Sequence, residues 1–297
     1  MAEPTPTTAT TAGGVHTDSV HTGGVHTGNE PSAVLAGGGG PPATRFALLA
    51  LGAILAVGLA AFAGSQTLSW TTGQERHDQR VVLPASVNRL EVHVSSGNLS
   101  LTGAGSGPAV VDAHLSGTVH PPKLTVQIVG GTAKVTAHCG WHYLLRCGAD
   151  LRLTVPPNVT SVARTSSGDI RAADLRGPMD LASSSGDIVT SGGTGPARLS
   201  TGSGDVRASG LRATSVSAHS SSGDVSLRLA VVPDTVSATT SSGDARITVP
   251  NDPTAYLVAA HASSGDERVR VHTDPTSQHR ITVRSGSGDV SVGYVTG

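Results

Sequence analysis

Aromatic residues, cysteine and net charge are all scarce in this sequence, and each shortage removes a class of protein. Phe, Tyr and Trp make up 2% of 297 residues. A deep core of Leu and Phe is therefore excluded, and so is a nucleic-acid groove built on stacking rings. Only two cysteines occur, Cys139 and Cys147, so the chain is no disulfide-dense scaffold. A formal net charge of -1 gives no strong field for nucleic acid or anionic lipid. Lys and Arg are missing before Arg45, so nothing there reads as the basic start of a signal peptide. Gly37 to Gly40 lacks the Lys-Ser/Thr sequel of a phosphate loop.

What the chain does have is glycine, 38 in all, together with one recurring phrase. Ser166-Ser167-Gly168-Asp169-Ile170 returns at Gly186-Asp187, Gly204-Asp205, Gly223-Asp224, Gly243-Asp244, Gly265-Asp266 and Gly288-Asp289. The steps between these glycines are 18, 18, 19, 20, 22 and 23 residues. Ser96-Gly97-Asn98-Leu99 is a weaker upstream relative. A near-fixed period of this size is the signature of stacked units. Two short strands and two turns account for each period. Glycine before each Asp suits a turn with positive φ. Ile170, Ile188, Val206, Val225 and Val290 follow the turns and are expected to point inward, with Leu181, Leu199, Val216, Val236 and Ile281 on the partner strands. Glu267 stands where an apolar residue belongs, which implies a bulge that turns Val269 and Val271 inward instead.

The expected fold is all-β: a β-solenoid-like stack of two-strand repeats, preceded by a disordered tail and one transmembrane helix. An antiparallel β-sandwich is the rival, but a sandwich has no reason to repeat one turn. Residues 1–44 read as a disordered low-complexity tail rich in Pro, Thr and Gly. Its three Val-His-Thr steps, at His16, His21 and His26, could hold a metal weakly, although a plain linker also accounts for them. Phe46 to Gly64 is nineteen residues without a charge, long enough at about 1.5 Å per residue to cross a bilayer with help from its flanks. The reading is a signal-anchor helix over 45–68 that contacts membrane lipid through residues 46–68. The chain is then a single-pass protein of the cell membrane with its C-terminal domain extracytoplasmic. Cleavage near Ala61-Phe62-Ala63 is the alternative. Residues 69–80 form a linker, 81–160 an irregular β capping region, and 161–297 the Ser-Gly-Asp repeat domain.

Cys139 and Cys147 flank what looks like a hairpin tip and are expected to form a disulfide. A zinc site with His138 and His142 is the other option, at a spacing that fits no ordinary zinc pattern. Stacked aspartates would lie one strand spacing apart, which is unfavourable unless relieved. Three remedies are open: Arg171, Arg207, Arg246 and Arg268 two residues on, hydrogen bonds from turn amides and hydroxyls, or calcium. Turn capping is the simplest, and no cofactor is expected.

The repeated Ser-Gly-Asp-Ile/Val units resemble the bacterial family named putative adhesins, an envelope-associated domain of unknown function. The resemblance covers about 85–295 and rests on the Gly-Asp pairs given above. It implies repetitive β-structure at a cell envelope and brings no catalytic residues. Ser is too abundant for any Ser-His-Asp assignment to mean much. The expected function is a non-catalytic, membrane-anchored envelope-interaction module whose partner is an envelope protein or a glycan and not nucleic acid. An accessory signalling or structural membrane protein is the alternative, and a polysaccharide-acting enzyme on a solenoid is a third class.

Overall fold

Small aliphatic residues alternate with Ser, Thr and Arg from Leu90 onward, a period that only a strand can bury on one face. In the computed structural model, which describes residues 75–105, 107–117, 122–139 and 147–295, that alternation becomes strands throughout. The first seven are β1 (Glu75–Val82), β2 (Arg89–Ser96), β3 (Leu99–Gly103), β4 (Val110–Gly117), β5 (Lys123–Val129), β6 (Thr132–His138) and β7 (Cys147–Val155). Five repeat units follow, each a strand before and a strand after its Gly-Asp turn. They are β8 (Thr160–Ser167) with β9 (Ile170–Ala173), β10 (Met179–Ser185) with β11 (Ile188–Ser191), β12 (Ala197–Ser203) with β13 (Val206–Leu211), β14 (Ser215–Ser222) with β15 (Val225–Leu229), and β16 (Thr235–Ser242) with β17 (Ala245–Val249). Two units close the chain: β18 (Leu257–Ser264) with β19 (Glu267–Val269), and β20 (Arg280–Ser287) with β21 (Val290–Tyr294).

These strands build two sheets joined at the Gly-Asp corners. One has eleven strands in the order β1-β4-β7-β3-β9-β11-β13-β15-β17-β21-β19, and the other has ten, β18-β20-β16-β14-β12-β10-β8-β2-β6-β5. Successive repeats pair in parallel and in register, as Val206 with Ile188 and Leu199 with Leu181 show. Antiparallel pairs occur at the N-terminal end, β1 with β4, β4 with β7 and β5 with β6. The core is a single layer between the sheets. In β15, Val225, Leu227 and Leu229 are buried while Arg228 faces out. Each such Val or Leu contributes about 1.5–3 kcal/mol by leaving water.

The uniform solenoid stack with a transmembrane helix is corrected on three points. First, the sheets are mixed rather than a plain pile of parallel coils. Second, no helix long and apolar enough to cross a membrane exists among the described residues, all of whose regular structure is β. The tail at 1–44, the span at 45–68 and residues 69–74 of the linker lie outside the described residues, and the rest of the expected linker, 75–80, is not a linker but strand β1, which pairs with β4. Signal-anchor insertion, lipid contact through 46–68 and a single-pass cell-membrane topology thus have no support in the described fold. Its apolar side chains are spent on the inter-sheet core instead of facing outward. Third, the coils do not stack in chain order. The last unit, β20–β21, lies between β16–β17 and β18–β19. The same inversion occurs at the other end, where β2–β3 sits between β8–β9 and β6–β7.

This order explains Glu267. No bulge forms: Glu267, Arg268 and Val269 pair with Val290, Ser291 and Val292 without a slip. Glu267 is exposed because its strand ends the stack, and its carboxylate accepts the Ala262 amide proton at 2.7 Å. A charge tolerates the inward direction there because no further coil covers it, and a charged edge strand also discourages sheet-to-sheet association.

Two local features carry predictions. Tyr256 is completely buried, its hydroxyl has no partner among the described residues, and burial pushes its phenol up to about 12. An unpartnered buried hydroxyl costs about 1–3 kcal/mol, so Tyr256→Phe is expected to raise the melting temperature. An unchanged or lower value would show that the hydroxyl has a partner. The Cys139–Cys147 disulfide, with Cα atoms 6.0 Å apart, links the end of β6 in one sheet to the start of β7 in the other. Reduction is expected to cost about 2.5 kcal/mol for so short a loop, read as a shifted denaturation midpoint.

Candidate functional site

Each repeat turns its corner at a Gly-Asp pair, and the corners stack into a continuous hydrogen-bonded rail. The amide of each Asp donates to the side chain of the coil beneath: Asp187 to Asp169 at 3.0 Å, Asp205 to Asp187 at 2.8 Å, Asp224 to Asp205 at 2.7 Å and Asp244 to Asp224 at 2.8 Å. Asp289 then donates to Asp244 at 2.8 Å, and Asp266 to Asp289 at 2.9 Å. At the other end the rail continues through Asn98, which accepts from Asp169 and donates to Asp150. Asp150 escaped the sequence reading because its turn has Ala149 in the glycine position.

Gly168, Gly186, Gly204, Gly223, Gly243, Gly265 and Gly288 all have φ between 133° and 145°. Close stacking adds a second demand. A Cβ on Gly204 would lie 2.4 Å from the Gly186 carbonyl oxygen. Inside the corner a buried row runs parallel to the rail: the hydroxyls of Ser183, Thr201, Ser220, Thr240 and Ser285 donate to the glycine carbonyls of neighbouring coils at 2.8–3.1 Å. These hydroxyls satisfy carbonyls that the turn leaves without strand partners.

The charge problem of a carboxylate ladder is met by two devices together. One oxygen of each Asp except Asp266, at the end of the stack, takes the amide just described. In several coils the other oxygen meets a guanidinium: Arg171 with Asp169, Arg207 with both Asp187 and Asp205, and Arg268 with both Asp266 and Asp289. No cluster of three or more His, Cys, Asp or Glu disposed to hold a metal is found among the described residues.

Those arginines belong to a longer row. Across the outer face of the eleven-stranded sheet, one register line reads Arg80, Asp112, Arg152, Ser100, Arg171, Val189, Arg207, Ser226, Arg246, Ser291, Arg268. Arginine occupies every second strand, a repeat of about 9.5 Å. The sequence hides this line, because neighbours on it are far apart in the chain and their order depends on the inverted end coils. At its C-terminal end the face dips into a groove of about 490 Å³ that holds Arg228, Arg246, Arg268 and Arg270 beside Asp244, Asp289 and Tyr294.

A second hollow, of about 520 Å³, lies on the ten-stranded sheet and includes His93, His138, Arg164 and Ser95. Ser95 Oγ is 3.0 Å from His138 Nδ1, but no carboxylate bonds that ring among the described residues. The arrangement lacks the third group that orients a catalytic base.

Titration of these groups has a definite sign. The Asp266 amide first, then Arg268, hold the Asp289 carboxyl below its ordinary 3.8. Thr254 does the same for Asp252, and Thr276 for Asp274. Burial first, then Lys134 and Arg164, push the His93 imidazole below 6.5. In every case the unfolded chain takes up protons before the folded one as pH falls. The His93 contribution is complete above 6.5 and is lost below it, and the carboxylate contributions are complete above 3.8 and lost below that. The melting temperature is expected to decline in two stages, with His93→Gln abolishing the upper one. A decline in one acidic stage only would show that His93 titrates normally.

The family model described as Toastrack DUF4097 matches residues 62–293. The chain belongs to this toastrack family. Among solved structures, a putative adhesin from Bacteroides fragilis shares 13% identity over 75% of this chain and 99% of its own, at a TM-score of 0.50. A putative adhesin from Parabacteroides merdae shares 13% over 75% and 97%, at 0.43. A putative lipid binding protein from Parabacteroides distasonis shares 11% over 75% and 97%, at 0.45. Such identities speak to fold alone. No curated protein matches. The Ser-Gly-Asp corner is read from this toastrack domain's own sequence and geometry, and the family match does not supply it.

Proposed function

We propose that this toastrack domain is a non-catalytic, adhesin-like module that contacts an envelope protein or a glycan through the outer face of its eleven-stranded sheet. The observation that carries the reading is the register line of arginines across that face, with the Gly-Asp rail along its edge fixing the register of the coils. A surface whose charges are fixed at regular intervals by the backbone is preorganised for a partner, which lowers the ordering cost of binding. The names of the Bacteroides and Parabacteroides proteins agree with this class, and the disulfide suits an oxidising compartment outside the cytoplasm. On this reading the Gly-Asp residues are scaffold and the outward arginines are contacts. The test is retention of envelope glycans or proteins by the immobilised full chain, alongside hydrolysis assays on cell-wall polysaccharide. Retention without hydrolysis is the expected result. Hydrolysis, or the absence of any retained ligand, would overturn the reading.

A further inference from the structure

We infer that the groove at the C-terminal end of the eleven-stranded sheet is a binding site for an acidic polysaccharide, one whose sugars carry carboxylates. The inference rests on the contact-surface reading above and assigns its ligand class. Further along this face Arg171 and Arg207 are matched by the aspartate rail and Arg80 by Asp112, while Arg152 stands singly between them. In the groove the match fails. Arg228, Arg246 and Arg270 form no ion pair among the described residues, while Arg268 already serves both Asp266 and Asp289. The two acidic residues on the wall, Asp244 and Asp289, each have one oxygen committed to the amide of the next coil. Four guanidinium groups thus meet three carboxylates, Asp244, Asp289 and the Asp266 that pairs with Arg268, and three of the four guanidinium groups are left without an ion pair among the described residues over a hollow of about 490 Å³.

The shape is built by small residues. Between Arg246 and Arg268 lies Ser291, and on the next line Gly293 leaves open space, since a Cβ there would meet nothing within 4 Å. Guanidinium groups on either side of a low hydroxyl-bearing floor suit a chain of sugars. Each uronate carboxylate can accept two parallel N–H bonds from an arginine, and the serine hydroxyls can meet sugar hydroxyls. Tyr294 at one wall offers a single ring, held by the hydrogen bond its hydroxyl accepts from the His272 amide. One ring is too few to stack successive bases, which disfavours single-stranded nucleic acid. The exposed large hydrophobic residues, Val82, Ile128, Val129 and Val269, line none of the groove, so it lacks the apolar centre of a protein interface.

The experiment is titration calorimetry of the full chain with oligogalacturonate, and with the same oligosaccharide fully methyl-esterified. Single-stranded DNA and phosphatidylglycerol vesicles serve as alternative anions. Oligogalacturonate is expected to bind, with the ester weaker by about tenfold or more, because charge-assisted bonds are lost. Arg246→Ser combined with Arg270→Ser is expected to weaken binding by a similar factor without lowering the melting temperature, since both side chains are exposed. Gly293→Val fills the floor while keeping every charge and is expected to abolish binding. Arg198→Ser, exposed on the opposite, ten-stranded sheet, is expected to leave it unchanged. Equal binding of the ester, tighter binding of DNA or vesicles, or full affinity in the double arginine variant would overturn the groove assignment. If retention of other envelope ligands persisted in that case, the contact-surface reading would stand, and if nothing were retained both would fall.

Discussion

Gly204→Ala is expected to destabilise the domain by about 3–5 kcal/mol, a large loss for adding one methyl group. Two independent costs combine. The backbone at Gly204 has φ of 139°, a region that residues with a Cβ almost never occupy. The new carbon would also stand 2.4 Å from the Gly186 carbonyl oxygen, and the atom in its way is backbone, which cannot rotate aside. Relief requires spreading the coils, which lengthens the Asp205–Asp187 hydrogen bond and loosens the Thr201 hydroxyl from the Gly186 carbonyl. The control is Gly293→Ala, where a Cβ meets open space and change within about 0.5 kcal/mol is expected. Denaturant unfolding of both variants checks the pair. Equal midpoints would mean that corner glycines are not required by stacking.

The second large effect tests the order of the coils. Val290→Asp is expected to cost more than about 4 kcal/mol or to prevent folding of the C-terminal end, because it buries a carboxylate without a partner. Val290 is fully buried and is flanked in register by Ala245 on one side and Glu267 on the other. Val269→Asp, on the edge strand and 40% exposed, is expected to change stability by less than about 1 kcal/mol. Chain order would predict the opposite, since β18–β19 would then be the interior unit and β20–β21 the terminal one. Measured stabilities in that reversed order would remove the inverted arrangement.

The sequence and the structure meet most closely at the corners. Seven Gly-Asp pairs and the aliphatic residue after most of them were visible because each unit faces the same local problem: a tight turn, then a residue that must point into a narrow core. Glu267 was misread as the sign of a bulge because the sequence does not say which unit is last. Asp150 was passed over because an alanine stands in its turn, although the Ala-Asp-Leu order kept the rest of the pattern. The apolar stretch at 46–64, which reads as a membrane span, lies outside the described residues, and those that are described contain no such helix and place their Val, Ile and Leu between two sheets.

Local chemistry repeated along the chain determined that this protein is built of strands, where each turn falls and which side chains face inward. Those properties depend only on a residue and its near neighbours. The tertiary structure alone decided that the first and last units are tucked one place inside the stack, so that apolar strands are covered on both sides and a charged one is left at the edge. That choice also lined up arginines from distant parts of the chain and left a small-residue hollow among them, because strand pairing, unlike turn formation, joins residues that sequence distance keeps apart.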